Sequence, residues 1–286
     1  MTNALALLQR NEIELSDLDR MIMEEAAQDE TAFDPIPTRI KISPGGINVF
    51  STTDNDTFKT FNAIAVISQK ARAYWPDKGT GQPPFCASPD GSHGIVAPEI
   101  TDAYYRAAIT AREPHPAIRL LDADRGIPPH FDCATCPLAQ WGSVHQGGAK
   151  GKSQACKTLR RLVVLVEGWA QPALLTLPPT SIVVWDTYCS SLARQKSSYF
   201  AVWTTFALES KKSANGDPYS VIALSTKSKI TDTDQVRAVF AIRAEYKSLV
   251  AAMPIDGNEY DVVDANSDTT VDATTGEVLD DRTPPF

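Results

Sequence analysis

Between Pro83 and Lys157 the chain loses its hydrophobic periodicity while gathering cysteine, histidine, proline and glycine, and this stretch limits what the whole can fold into. Roughly seventy residues without a visible core is too long for a plain loop in a compact domain, so something other than apolar burial must hold it. Cys86, the pair Cys133-Ala-Thr-Cys136 and Cys156 all fall inside it. A CxxC turn sets two thiolates on one side of a tight loop, and two more cysteines complete a closed tetrahedral site. Cys86, Cys133, Cys136 and Cys156 are therefore the predicted ligands, and Zn2+ the predicted structural cofactor. His93, His130 and His145 are alternative donors, chiefly in place of the distant Cys86. Redox chemistry at the CxxC would want a thioredoxin-like strand-then-helix context, which is missing. Cys189, within an apolar helical stretch, reads as core. An odd total of five cysteines fits reduced thiols better than a disulfide framework, and so a cytoplasmic protein.

The flanks are regular. Asp34-Pro-Ile-Pro37 ends an acidic amphipathic arm over 1–34, in which Leu15, Leu18, Met21 and Ile22 recur at helical spacing. Arg39–Ile42 and Ile47–Phe50, joined through Pro44-Gly-Gly46, read as a hairpin. Phe61–Tyr74, Leu159–Glu167, Ala173–Leu177, Tyr199–Glu209 and Tyr219–Ser225 read as strands. Ile100–Arg112 suggests a short helix, and a helix begins at Pro178-Pro-Thr-Ser181, carrying Trp185 and Leu192 as core. A last helix spans Thr233–Met253 behind the cap signal Thr231-Asp232. After Pro254 the chain is acidic and poor in apolar residues, and 254–286 is expected to be a disordered tail. The expected domains are the arm (1–34), one nucleic-acid-binding body (35–253) with its insertion at about 83–157, and the tail.

Charge divides along the same lines. The net −8 splits into −7 over 1–34, −8 over 254–286 and +7 over the body between them. A basic body suits a polyanion, and an acidic end can compete with one or hook other proteins. With 43% hydrophobic and 22% charged residues the chain has ordinary globular composition. It holds no run of eighteen apolar residues, so membrane spans are not expected, and its acidic start is unlike a secretory signal.

Two catalytic motifs fall short. Gly147-Gly-Ala-Lys-Gly-Lys-Ser153 resembles a phosphate-binding loop, but Gln146 stands where the first glycine belongs and no apolar strand precedes it. Glu209-Ser-Lys211, with Asp186 or Asp90 elsewhere, offers the carboxylates and lysine of a metal-dependent nuclease, which is the enzymatic alternative. A zinc-bearing adaptor without affinity for DNA is the third reading.

Basic and aromatic residues interleave along the strands. Lys70, Arg72, Tyr74 and Trp75, then Arg160 and Arg161, Trp203 and Phe206, Lys211 and Lys212, and Lys227 and Lys229 are candidate contacts to single-stranded DNA; Lys150 and Lys152 would join them as phosphate contacts. Cations track phosphates and open aromatic faces stack bases at about 1–3 kcal/mol each.

The order of strand, cysteine-bearing insertion, strand, strand, helix, strand and strand resembles a five-stranded OB barrel. It is similar to the zinc-containing DNA-binding OB domain of replication protein A. That resemblance, covering about 60–225, implies that Phe61–Tyr74 is the first barrel strand and Leu159–Glu167 the second. The expected fold is thus mainly β, an OB-like barrel with an inserted zinc module, helices at both ends and a disordered tail. The last residues, Leu279-Asp-Asp-Arg-Thr-Pro-Pro-Phe286, resemble the tip of bacterial single-stranded DNA-binding proteins. In that family the terminal Phe fills a pocket on replication and repair enzymes, which makes Asp280, Asp281, Pro285 and Phe286 the implied partner-binding residues. Arg282 and Thr283 interrupt the acidic run. The resemblance implies a non-enzymatic protein, from a bacterial or phage-infected cell, that coats single strands in DNA replication, recombination or repair. A homo-oligomer is compatible with it.

Overall fold

The computed structural model of the chain describes residues 37–43, 45–75, 84–96, 131–144, 153–212, 216, 218–255 and 259. The arm over 1–34, the helix expected at 100–112, His130, His145, Lys150, Lys152 and the tip with Asp280, Asp281, Pro285 and Phe286 lie outside the described residues.

What is described is mainly β, a curled half-barrel sheet with a helix on each face. The strands are β1 (Thr38–Ile42), β2 (Phe50–Thr52), β3 (Thr57–Phe58), β4 (Thr60–Tyr74), β5 (Cys86–Ser88), β6 (His93–Val96), β7 (Phe131–Asp132), β8 (Lys157–Val166), β9 (Ala173–Leu177), β10 (Val202–Lys212) and β11 (Pro218–Lys229). Helix α1 spans Pro179–Arg194 and α2 spans Thr233–Ala252. The sheet runs β3-β2-β1-β9-β8-β4-β5-β6-β7, and β10 also joins β4 and carries β11. All pairings are antiparallel except β1 with β9.

β4 is the spine. β8 lies along one edge from Ala63 to Ala73. On the other edge β10 takes Thr60–Ala63 and β5 takes Arg72–Tyr74, so the barrel end and the cysteine end diverge from a single strand. A register shift between Ala65 and Ile67 puts Val66 and Ile67 both under α2 and returns Ser68, Lys70 and Arg72 to the face of Phe61 and Ala63.

Each face has its own core. On the α1 face, Phe50, Phe61, Leu162, Leu175, Phe206 and Ile222 close around Trp185. The Trp185 indole N–H donates to Ser68 Oγ at 3.0 Å, which satisfies the one polar atom it buries. On the α2 face, Ile64, Val163, Leu165 and Leu174 pack against Val239, Ile242, Tyr246 and Val250. α1 starts with Pro at its first turn, where the missing N–H costs nothing, and Ser181 Oγ accepts from Ile222 N–H at 3.2 Å to pin it to β11. α2 is capped as the sequence predicts: the Asp232 side chain accepts from Asp234 N–H at 2.8 Å.

The loop after β1 reaches across to the β10–β11 hairpin, where Asn48 N–H donates to Ser220 Oγ at 3.2 Å. Gly46 has φ +73°, and a Cβ there would lie 2.8 Å from both Pro218 Cβ and Ser210 Oγ. Only glycine allows that turn and that approach together.

Candidate nucleic-acid interface and thiol cluster

Among the described residues, the predicted contacts fall in different surroundings. Three belong to the interior, and the physical reason differs for each. Phe206 is buried, stacked on Phe61 with centroids 4.9 Å apart, because it lies in the core that closes around Trp185 of α1. Tyr74 is buried edge-on to Phe85 at 6.3 Å. Arg161 is fully buried because its parity on β8 turns it beneath the end of α2, where it donates to the carbonyls of Val250, Met253 and Pro254 and to Glu259. Trp203 is half-buried against the α2 core, and Trp75 packs on Ala71, Leu159 and Ile255.

The remaining cations divide into two groups. Lys211 and Lys212 are exposed near the end of β10, and Lys229 is exposed opposite Val202. Lys227 grips Glu167 at 2.7 Å, beside Asn62, and is already answered. The Lys227 ammonium, aided by Asn62, holds the Glu167 carboxyl below its usual range.

The second group is the informative one. Lys70 and Arg160 are direct cross-strand partners on the α1 face, and Arg72 follows two residues on, opposite Thr158. Like charges facing each other across a ladder are unfavourable unless an anion answers them. Asp186 on α1 takes one, at 3.0 Å from Arg160 Nη2, while the buried Arg160 Nε has no partner. Among the described residues no ion pair involves Lys70.

One aromatic residue that pattern reading passed over is open. Trp141 is 76% exposed in the turn after the CxxC. That turn is braced rather than loose. Gln140 Nε2 donates to the Ala134 carbonyl at 2.9 Å, Ser143 Oγ to that of Leu138 at 2.8 Å, and Gln154 Nε2 to that of Ala139 at 2.6 Å. A lone tryptophan between Gln140 and Gly142, in a segment with no apolar period, was the available signal.

The cysteine segment docks on the far end of β4. Cys86 pairs with Tyr74 across one edge, and Cys156 immediately precedes Lys157, which pairs with Ala73 across the other. Cys133 N–H bonds to the Ser92 carbonyl at 2.9 Å and Cys156 N–H to that of Leu138 at 2.9 Å, tying the CxxC turn to both flanks. All four cysteines are free thiols. They share one neighbourhood: burial pushes the Cys86 thiol far up, and Cys156, Cys133 and Cys136 push it further. Burial likewise brings Cys156 to about 12, with Cys133 and Cys136 adding to it. Among the described residues no group of three or more His, Cys, Asp or Glu side chains forms a ready-made metal site. The donor set itself, four soft sulfurs including a CxxC, suits zinc. Cys189 is half-buried against the α1-face core.

His93 stands outside the cluster, exposed, with Nδ1 2.9 Å from Asp90 Oδ2. Asp90 is a hub: its Oδ1 accepts from Ser88 Oγ and from the N–H groups of Ser92 and His93. Desolvation pushes the Asp90 carboxyl up, but these bonds, led by those from His93, outweigh it and hold it well below the usual range. The hydrogen bond to Asp90 raises His93 above its ordinary value. The carboxylates considered for a nuclease are thus engaged separately, Asp90 here and Asp186 with Arg160.

No described helix is long and apolar enough to cross a membrane. No protein-family model, curated protein or solved structure matches the chain.

Proposed function

We propose that this chain is a non-enzymatic single-stranded DNA-binding protein built on an OB-like barrel with a structural zinc module. The strand pairing supports the barrel reading. β9, β8, β4, β10 and β11 lie in that order, with α1 between β9 and β10 in sequence and the cysteine segment inserted between β4 and β8. An OB barrel uses this order, third-second-first-fourth-fifth, and its second and third strands face oligonucleotides. The edge of β9 is filled by the N-terminal strand β1, and the loop after β1 touches β11.

The observation that carries the DNA reading is the cross-strand cationic pair Lys70–Arg160, of which Asp186 answers Arg160 alone. A phosphate beside Lys70 relieves their repulsion and gives Lys70 the anion it lacks among the described residues. Trp141, exposed on a turn that hydrogen bonds brace, supplies a stacking face. This set replaces most of the aromatic contacts expected from the strands. Lys211, Lys212 and Lys229 extend the positive surface along the hairpin, and the tip residues Asp280, Asp281, Pro285 and Phe286 recruit replication or repair enzymes. Zinc, held by Cys86, Cys133, Cys136 and Cys156, stabilises the module as a fold element.

Fluorescence anisotropy with labelled oligo-dT and with duplex DNA at two salt concentrations tests this. Preferential, salt-sensitive binding to the single strand is expected; equal or absent binding contradicts it. Metal analysis should return about one zinc per chain.

A further inference from the structure

Arg72 was read from the sequence as a contact to DNA, but its surroundings point elsewhere. It sits on β4 between Ser88 of β5 and Thr158 of β8, each two residues from a cysteine, Cys86 and Cys156. Its Nη1 is buried and has no hydrogen-bond partner. A buried guanidinium N–H left unmatched is costly, so an acceptor beside it is called for. The nearby candidates are sulfurs: residues two apart on a strand share a face, which sets Cys86, two before Ser88, on the side of Arg72, with Cys156 two before Thr158 on the other flank. A neutral thiol is a poor acceptor, whereas a thiolate is a strong one. Four thiolates around a dication carry a net charge of −2, and a fixed guanidinium beside them offsets half of it.

We infer that Arg72 is a positioning residue of the thiolate centre, donating an N–H to a thiolate sulfur and balancing its charge, and that it is not a contact to DNA. The inference rests on the zinc reading above and adds the residue that makes a doubly anionic centre tolerable beside the sheet. Partners of this kind fix ligand orientation and change metal affinity by about 10–100-fold when removed.

The test uses the full-length zinc-loaded chain, with transfer of zinc to a chromophoric chelator and the absorption of the cobalt-substituted protein as readouts. Arg72→Met is expected to release zinc roughly tenfold faster or more and to shift the sulfur-to-cobalt charge-transfer band. Its salt dependence of oligo-dT binding should match the unsubstituted chain. Arg72→Lys, which keeps the charge and loses the fork, should fall between the two; it decides the question if Arg72→Met does not fold. Unchanged release and spectrum in these variants overturns the inference while leaving zinc in place. A loss of about one unit of salt slope with unchanged release makes Arg72 a phosphate contact instead. An unsubstituted chain that takes up neither zinc nor cobalt overturns the zinc reading, and the inference falls with it.

Discussion

Arg161 and Glu259 meet at 2.9 Å in the interior, their side chains 0% and 1% exposed. They are ninety-eight positions apart in sequence, and Glu259 lies five residues beyond Pro254, in the stretch whose composition predicts disorder. The carboxylate is held from three sides: by Arg161, by Thr176 Oγ1 at 3.1 Å and by Arg39 Nε at 3.4 Å. Ile255 is buried as well, packed near Ala71, Ala73 and Leu159. Ile255 and Glu259, both beyond Met253, are thus buried against the sheet. Burial drives the Arg161 guanidinium down from its ordinary range, and Glu259 opposes that shift.

Removing one partner of a buried pair strands the other charge, at a cost of about 3–5 kcal/mol. Glu259→Ala should lose stability of that order in urea denaturation, as should a chain ending at Met253. A chain ending at 260 should keep the stability of the full chain. Equal stability of the two truncations would show that the buried pair contributes little.

The bridge between the β1–β2 loop and the β10–β11 hairpin makes a sharper prediction. Gly45 and Gly46 both have positive φ, but only Gly46 has neighbours where a Cβ would go. Gly45→Ala should cost about 1 kcal/mol, the left-handed conformation alone. Gly46→Ala should cost clearly more, because Pro218 must move. Thermal denaturation of the pair measures the difference; equal losses would mean that the loop does not seat on β11.

Protonation of His93 should be linked to folding. Its folded value is raised by Asp90 above about 6.5, so its contribution is complete below that pH and is lost as pH rises through the folded value. Both groups face water, so the effect on stability is small and is best read by NMR titration of the imidazole. The midpoint should lie above 6.5 in the unsubstituted chain and return towards it in Asp90→Asn. An unchanged midpoint would remove Asp90 as the cause.

Much of the fold is legible in the sequence because periodicity reports local structure directly. Ala173–Leu177 matches its strand residue for residue, and Asp232 caps the last helix as its position implies. What alternation does not report is which side of a sheet is covered. Here both sides are, α1 on one and α2 on the other, and so Phe206 and Trp203 became core or half-buried rather than platforms, while Phe85 of the cysteine segment covers Tyr74. Adjacent arginines met opposite fates for the same reason. Arg160 points to Asp186 on α1, and Arg161 points to a glutamate from the far end of the chain. The cysteine-bearing segment was readable as an insertion between strands, since apolar periodicity stops near Pro83 and returns at Leu159. The shared surroundings of Lys70 and Arg160 were not, because they depend on strand register across ninety residues and on the irregularity at Ala65–Ile67 that sets which face Lys70 takes.

In the proposed function Lys70 and Arg160 jointly receive a phosphate of single-stranded DNA. The decisive measurement is oligo-dT affinity as a function of salt for the unsubstituted chain and for Lys70→Gln with Arg160→Gln. Binding should be weaker and the salt slope smaller by about 1–2 in the double variant, with folding intact. An unchanged affinity and slope in a folded double variant would contradict it.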